Sequence, residues 1–295
     1  MNNWGRVITA MVTPMHSNGE INYDKAKELA KHLVLEGTTA LVINGTTGES
    51  PTVTSEEKLK LLSCVKEAVN VPIIAGVGTN STAATIENAL QAEKLGMDGL
   101  LVVVPYYNKP NQESLYAHFS AVAQVTKLPI MLYNVPGRTG MNMTAETSVA
   151  LSKIPNIVAL KEASGNLTQL ATVVRDAEDG FLVYTGEDAQ ILPTLAVGGY
   201  GVVSVVSHVV CNQVKSMIED YLNGNVNEAT AMHLKLIDIC DKLFMTANPI
   251  PVKAALNILG LAVGNTRLPL SPPSDAVIST LEVAMSELGL LAEVK

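Results

Sequence analysis

Short, continuously apolar runs alternate along the chain with longer stretches in which apolar residues return every three or four positions. The runs are RVITAMVTP (6–14), TALVING (39–45), VPIIAGVG (71–78), GLLVVVP (99–105), PIMLYNVP (129–136), IVALKE (157–162), FLVYTGED (181–188) and YGVVSVVS (200–207). They recur about every 30 residues, with a polar or Gly-rich turn after each. Apolar runs without polar alternation are what strands covered on both faces require.

Helix-period segments fill the gaps. NYDKAKELAKHLVLEG (22–37) puts Ala26, Leu29, Ala30, Leu33 and Val34 on one face. It ends on Gly37, a residue suited to the left-handed position just past a helix. TSEEKLKLLSCVKEA (54–68) opens with Thr54 and Glu57 at the spacing of a capping box, and TAATIENALQAEKLG (82–96) ends on Gly96. Strand, helix and strand in steady succession imply parallel strands joined by right-handed crossovers. Eight such units close most naturally into a (β/α)8 TIM barrel, with an open doubly wound sheet as the lesser alternative. After residue 224 the strands stop, and segments 225–244, 249–260 and 274–291 read as helices. The expected organisation is a catalytic barrel over 1–224 and a helical extension over 225–295 packed on it.

Composition narrows the class. The chain has 295 residues, 47% of them hydrophobic, and a mean hydropathy of +0.25. A membrane span would need about 20 unbroken apolar residues. The best candidate, LAVGGYGVVSVVSHVV (195–210), is broken by three glycines, two serines and His208, so it reads as a turn feeding a buried strand. No membrane association is expected. The start MNNWGRVITAMVTP lacks the cationic and long apolar regions of a secretory signal. Cys64, Cys211 and Cys240 are an odd set without close pairing, which fits a reducing, cytoplasmic setting. A net charge of −8 argues against a sequence-independent grip on nucleic acid.

In a barrel of this kind reactive groups collect at the carboxyl ends of the strands. Those ends offer Thr13, the loop Gly45–Ser50, Gly78, Asn80, Tyr106, Tyr107, Tyr133, Asn134, Arg138, Lys161, Glu162, Gly186, Glu187, Asp188 and Ser204. His16, His32, His118, His208 and His233 are dispersed and absent from that set, so no metal site is expected. GTTGES lacks the GK[ST] ending of a phosphate loop. It reads either as a cradle for a small anion or as an ordinary turn.

Lys161 is the informative residue. Lysines are rarely buried, yet this one follows IVAL directly in the sixth run, so its side chain should rim or enter the barrel mouth. Burial disfavours the charged form of an amine, and a neutral amine attacks carbonyl carbon. Tyr133 ends the preceding run and reads either as a core aromatic or as a proton carrier beside the amine. Arg138 reads either as a surface arginine or as a bidentate clamp on a carboxylate. The residues alone point to a Schiff-base enzyme acting on a carboxylated carbonyl compound.

GTTGES, PYYNKP, YNVPGRTG, ALKEASGN and NPIPVK, in this order, resemble the dihydrodipicolinate synthase family, also called 4-hydroxy-tetrahydrodipicolinate synthase. The resemblance runs from VTPM near the start to RLPL at 267–270. It belongs to a wider group of pyruvate-dependent aldolases that includes N-acetylneuraminate lyase, and Arg138 favours the synthase within it. The resemblance implies condensation of pyruvate with L-aspartate 4-semialdehyde on the diaminopimelate route to lysine. It assigns the Schiff base to Lys161 and the proton relay to Tyr133, Thr46 and Tyr107. Thr46 and Thr47 match the surroundings of the pyruvate carboxylate, and Arg138 the group that holds the semialdehyde carboxylate. Gly186 and the Val203 carbonyl match further substrate contacts.

The same resemblance implies a homodimer or homotetramer, because Tyr107 would reach into a neighbouring subunit's site. Neither a metal nor an organic cofactor is expected, since the iminium serves as electron sink. Ser50, Ser55, Lys58, Asn80, Ala84 and Tyr106 match a site where lysine inhibits many members. Sensitive members carry histidine and glutamate where this chain has Lys58 and Ala84, so weak or absent lysine inhibition is expected. Two rival readings remain: a lyase acting on a sugar acid, and a barrel that binds a small acid without turnover.

Overall fold

A computed structural model describes residues 4–291 of the chain. Each apolar run contains one strand: β1 (Val7–Ala10), β2 (Ala40–Ile43), β3 (Ile73–Gly76), β4 (Gly99–Val103), β5 (Ile130–Asn134), β6 (Ile157–Glu162), β7 (Leu182–Thr185) and β8 (Gly201–Ser204). They pair in parallel in sequence order, and β1 pairs with both β2 and β8, which closes the barrel. The open-sheet alternative is thereby excluded.

Twelve α-helices occur among the described residues: α1 (Tyr23–Leu35), α2 (Ser55–Ala68), α3 (Thr82–Lys94), α4 (Gln112–Val125), α5 (Pro136–Thr139) and α6 (Ala145–Ser152), then α7 (Leu167–Asp176), α8 (Ile191–Ala196), α9 (Ser207–Leu222), α10 (Val226–Lys242), α11 (Ile250–Ile258) and α12 (Asp275–Glu287). The sequence-level end signals act as expected. Gly37 and Gly96 take φ of +102° and +70° just beyond α1 and α3. Thr54 and Glu57 form the full capping box of α2. On α1, Ala26, Leu29, Ala30 and Leu33 are buried, while Val34 sits at the edge of that face, half-buried.

Strand side chains point alternately in and out. The inward set, Ile8, Ala10, Val42, Ile74, Leu101, Met131, Tyr133, Ala159, Tyr184 and Val203, fills the barrel interior as a core of its own. The outward set, including Val7, Leu41, Ile73, Leu132, Leu160 and Val202, packs against the helices in a second core. Both sets are apolar, which hides the two-residue period in the sequence. The end of the barrel away from the strands' carboxyl termini is closed by Trp4, 2% exposed. Gly99 makes room for it, since a β-carbon there would stand 2.4 Å from the indole. Tyr184 donates its hydroxyl to the Gly5 carbonyl at 2.9 Å beside it.

Beyond β8, α9 packs on β1, α10 and α11 pack on α9, and α12 packs on α10 and α11. Cys64, Cys211 and Cys240 are all buried free thiols. No helix among the described residues is long and apolar enough to cross a membrane.

Candidate active site

Lys161 lies on β6 in phase with Ala159 and Ala163, so its side chain enters the barrel and not the helix layer. It is 6% exposed. Its register partners are Tyr133 on β5 and Tyr184 on β7. The Nζ stands 4.3 Å from the centre of the Tyr133 ring. No ion pair engages the amine among the described residues. The next residue, Glu162, points the other way. Its carboxylate accepts from Asn134 Nδ2 at 3.0 and 3.1 Å, from Gln169 Nε2 at 2.9 Å and from the Ser164 N–H at 2.8 Å. That network braces β5 against β6 on the outer face, so Asn134 and Glu162 are scaffold.

Gly186 follows β7 directly beside the lysine. A β-carbon there would stand 2.8 Å from Lys161 Cε and 2.7 Å from Ala163 Cβ, closer than real β-carbons come to their neighbours. Its absent side chain is what admits the lysine. Val203 is fully buried on β8, in the same interior core as Tyr133 and Tyr184.

A cavity of about 380 Å³ opens at this end of the barrel. Thr46, Tyr106, Tyr133 and Arg138 line it, together with Lys58 and Ser50. Lys161 is not part of the lining itself; it stands over the ring of Tyr133, which is. Arg138 lies on α5, the short helix that Pro136 starts just after β5. It is exposed, and no intramolecular hydrogen bond engages its guanidinium among the described residues. A free fork of N–H donors at a cavity wall suits a carboxylate.

The loop after β2 divides its two threonines. Thr46 faces the cavity half-buried. Thr47 is 2% exposed, and its Oγ1 accepts from Asn248 Nδ2 at 2.9 Å. Thr13 donates its hydroxyl to the Gly48 carbonyl at 2.7 Å, and Ser204 Oγ accepts from the Ser207 N–H at 2.9 Å. Ser204 also bonds the Asp188 carboxyl, and neither Thr13 nor Ser204 lines the cavity. Tyr107 stands apart from the rest. It is 89% exposed, has φ of +73°, and lies outside its own chain's cavity. A bulky residue held in the left-handed region is uncommon, and here it projects a phenol into solvent.

Two acids sit next to this group. Asp188 is 3% exposed and accepts from the N–H groups of Val205 and Val206 at 2.9 and 3.0 Å. Burial pushes its carboxyl above the ordinary range, against those hydrogen bonds. Glu187 is also raised, by burial and then by Asp188, while Lys161 and Arg138 pull it back.

A second cavity of about 280 Å³ adjoins the first between α2 and α3, lined by Ser55, Lys58 and Ala84 among others. Lys58 lines both, and burial lowers its ammonium below the ordinary range. Asn80 contributes its carbonyl to Asn108 Nδ2 at 2.8 Å.

The residues that sequence reasoning passed over lie in the extension. Asn248, Lys253 and Arg267 all reach the loop after β2 or its neighbour α2. Arg267 donates twice to Glu57, at 2.9 and 2.6 Å, and its N–H donates to Glu49 at 2.8 Å. The signal was a lysine inside the otherwise apolar helix PIPVKAALNI, which demands a buried acid somewhere else in the chain.

The chain and its fold have known relatives. The model of the dihydrodipicolinate synthetase family matches residues 3–288. A 4-hydroxy-tetrahydrodipicolinate synthase of Thermosynechococcus vestitus is 52% identical over 294 residues, 99% of each chain. One of Moorella thermoacetica is 51% identical over 290 residues, covering 98% of this chain and 99% of its own. Among solved structures, the lysine-bound dihydrodipicolinate synthase of Cyanidioschyzon merolae superposes with a TM-score of 0.96 at 50% identity, covering 98% of this chain and 99% of the other. With near-complete coverage in sequence and in space, the chain belongs to the dihydrodipicolinate synthetase family.

Proposed function

We propose that the chain condenses pyruvate with L-aspartate 4-semialdehyde through a Schiff base on Lys161, the reaction of a 4-hydroxy-tetrahydrodipicolinate synthase. The observation that carries this reading is the buried amine of Lys161, unpaired and 4.3 Å from the Tyr133 ring. Gly186 leaves the room in which the lysine stem lies beside Ala163.

The unprotonated Lys161 amine attacks the keto carbon of pyruvate. The resulting carbinolamine loses water to give an iminium. Tyr133, with Thr46 beside it and Tyr107 from a second subunit, carries protons between nitrogen and the departing oxygen. The iminium draws electrons from the methyl group, which loses a proton and becomes the nucleophilic carbon of an enamine. That carbon forms a bond to the aldehyde carbon of the second substrate, and the new alkoxide takes up a proton. Arg138 holds the second substrate by its carboxylate. The product's own amine then attacks the imine carbon, closes the ring and releases Lys161 unchanged.

Gly186 gives the lysine its space, and the Val203 carbonyl and the Thr47 backbone N–H complete the substrate surroundings in this reading, the Thr47 hydroxyl being held by Asn248. The self-association is a homodimer or a pair of dimers in which Tyr107 completes a neighbour's site.

Borohydride reduction in the presence of pyruvate tests the reading by intact mass and peptide mapping. The expected result is one reduced pyruvyl group on the peptide that contains Lys161, and none in a Lys161→Ala variant. An unmodified mass for the wild-type protein removes the mechanism.

A further inference from the structure

One lysine of the C-terminal segment has no part in that chemistry, yet it is buried as deeply as any core residue. Lys253 lies on α11 beside Val252, Ala254 and Ala255 and is 1% exposed. Its Nζ donates to Glu49 Oε1 at 2.9 Å, to the Thr13 carbonyl at 3.0 Å and to the Asn265 carbonyl at 2.6 Å. Three donors meet three acceptors, so the ammonium is fully satisfied. Glu49 is 3% exposed, and its other oxygen accepts from the Arg267 N–H at 2.8 Å.

A buried ion pair adds little net stability, because desolvation of the two charges offsets their attraction. What such a pair does supply is fixed geometry, and here it fixes one turn. Glu49 holds the left-handed conformation, φ +58°, and donates its N–H to the Thr46 carbonyl at 3.0 Å. The Gly48 carbonyl is held by Thr13 at 2.7 Å, and the Thr47 hydroxyl by Asn248 at 2.9 Å. Lys253 Nζ joins Glu49 to Thr13, just past β1, and to Asn265, next to the segment whose Arg267 N–H also binds Glu49. The turn between β2 and α2 is therefore clamped from the far end of the chain.

We propose that Lys253 is a positioning residue: by pinning Glu49 it holds the Thr46–Thr47 turn at the angle that proton transfer beside Tyr133 requires. This rests on the reading that Lys161 forms a Schiff base with pyruvate. Lys253 touches no substrate and acts only through the turn.

The test compares wild type with Lys253→Met and with the double variant Glu49→Gln/Lys253→Met. The double variant is neutral at both ends, so it keeps the question open to measurement should the single variant not fold. Circular dichroism establishes folding. Active sites are counted by borohydride trapping of pyruvate, and kcat is expressed per trapped site. The expected result is a normal adduct on Lys161 with kcat per site lower by about 10–100-fold, the scale of a small misplacement. The KM for pyruvate changes less than kcat. A double variant with wild-type kcat per site overturns the proposal, and so does a loss that disappears once the sites are counted. A wild-type protein that forms no adduct overturns the Schiff-base reading, and this proposal with it.

Discussion

At Gly186 the missing side chain is as specific a requirement as the lysine it faces. Gly186→Ala would put a methyl group 2.8 Å from Lys161 Cε, and Ala163 Cβ at 2.7 Å blocks retreat. The lysine must swing, and its amine leaves the Tyr133 ring. Because the strain is local, the variant should fold while its kcat falls by about tenfold or more. Pyruvate trapping by borohydride should slow in parallel; trapping at the wild-type rate would show that the space is not needed. Lys161 and Tyr133 were legible in the sequence because each closes an apolar run, where a polar side chain stands out. Lys253 was not, because its partner Glu49 lies 204 positions away and only the closed fold brings them together. Thr47 shows the opposite limit: the sequence places two adjacent hydroxyls in one loop, and only the structure turns one of them away from the cavity toward Asn248.

Between elements, the junction of β8, α9 and β1 depends on one histidine. His208 is 2% exposed near the start of α9. Its Nδ1 donates to the Val205 carbonyl at 2.8 Å, and its Nε2 accepts from the Val12 N–H at 3.1 Å. That second bond requires an unprotonated Nε2, and burial pushes the ring down to about 4 from an ordinary 6.5. The folded protein therefore binds this proton less readily than the unfolded chain. Its contribution is complete above about pH 6.5 and fades as pH falls toward 4, by about 2 kcal/mol at pH 5 and about 3 kcal/mol in all. Urea unfolding at pH 7 and pH 5 should show wild type losing more stability between those values than His208→Gln does. Equal losses in both proteins would remove the histidine from the acid response. Sequence reasoning saw this residue as an interruption in an apolar stretch and as one of five dispersed histidines, since its long-range partner, the Val12 N–H, lies 196 positions away. The strands themselves were readable because double burial leaves unbroken apolar runs. The shorter helices α6 and α8 were not, because so few turns give a weak period.

For the molecule as a whole, one subunit holds Lys161, Tyr133, Thr46 and Arg138 but leaves Tyr107 89% exposed, outside its own cavity. If that phenol serves a neighbour, two defective proteins should repair one another. Lys161→Ala and Tyr107→Phe homomers should each be impaired, and subunit exchange between them should restore one intact site per mixed dimer. Activity regained on mixing, in proportion to the mixed species found by native mass spectrometry, is the expected outcome. Mixtures no more active than the sum of their parts would confine the relay to a single chain.

The seam between β1 and β8 bears on how copies can meet. With β1 bonded on both sides, the strand ladder has no first or last member, and every strand spends its backbone hydrogen bonds on two neighbours. An open sheet would offer a rim of unpaired amides on which another chain could grow. Here that mode of growth is closed off. Contact between copies has to be made on helices and loops, where shape and chemistry are particular to each surface.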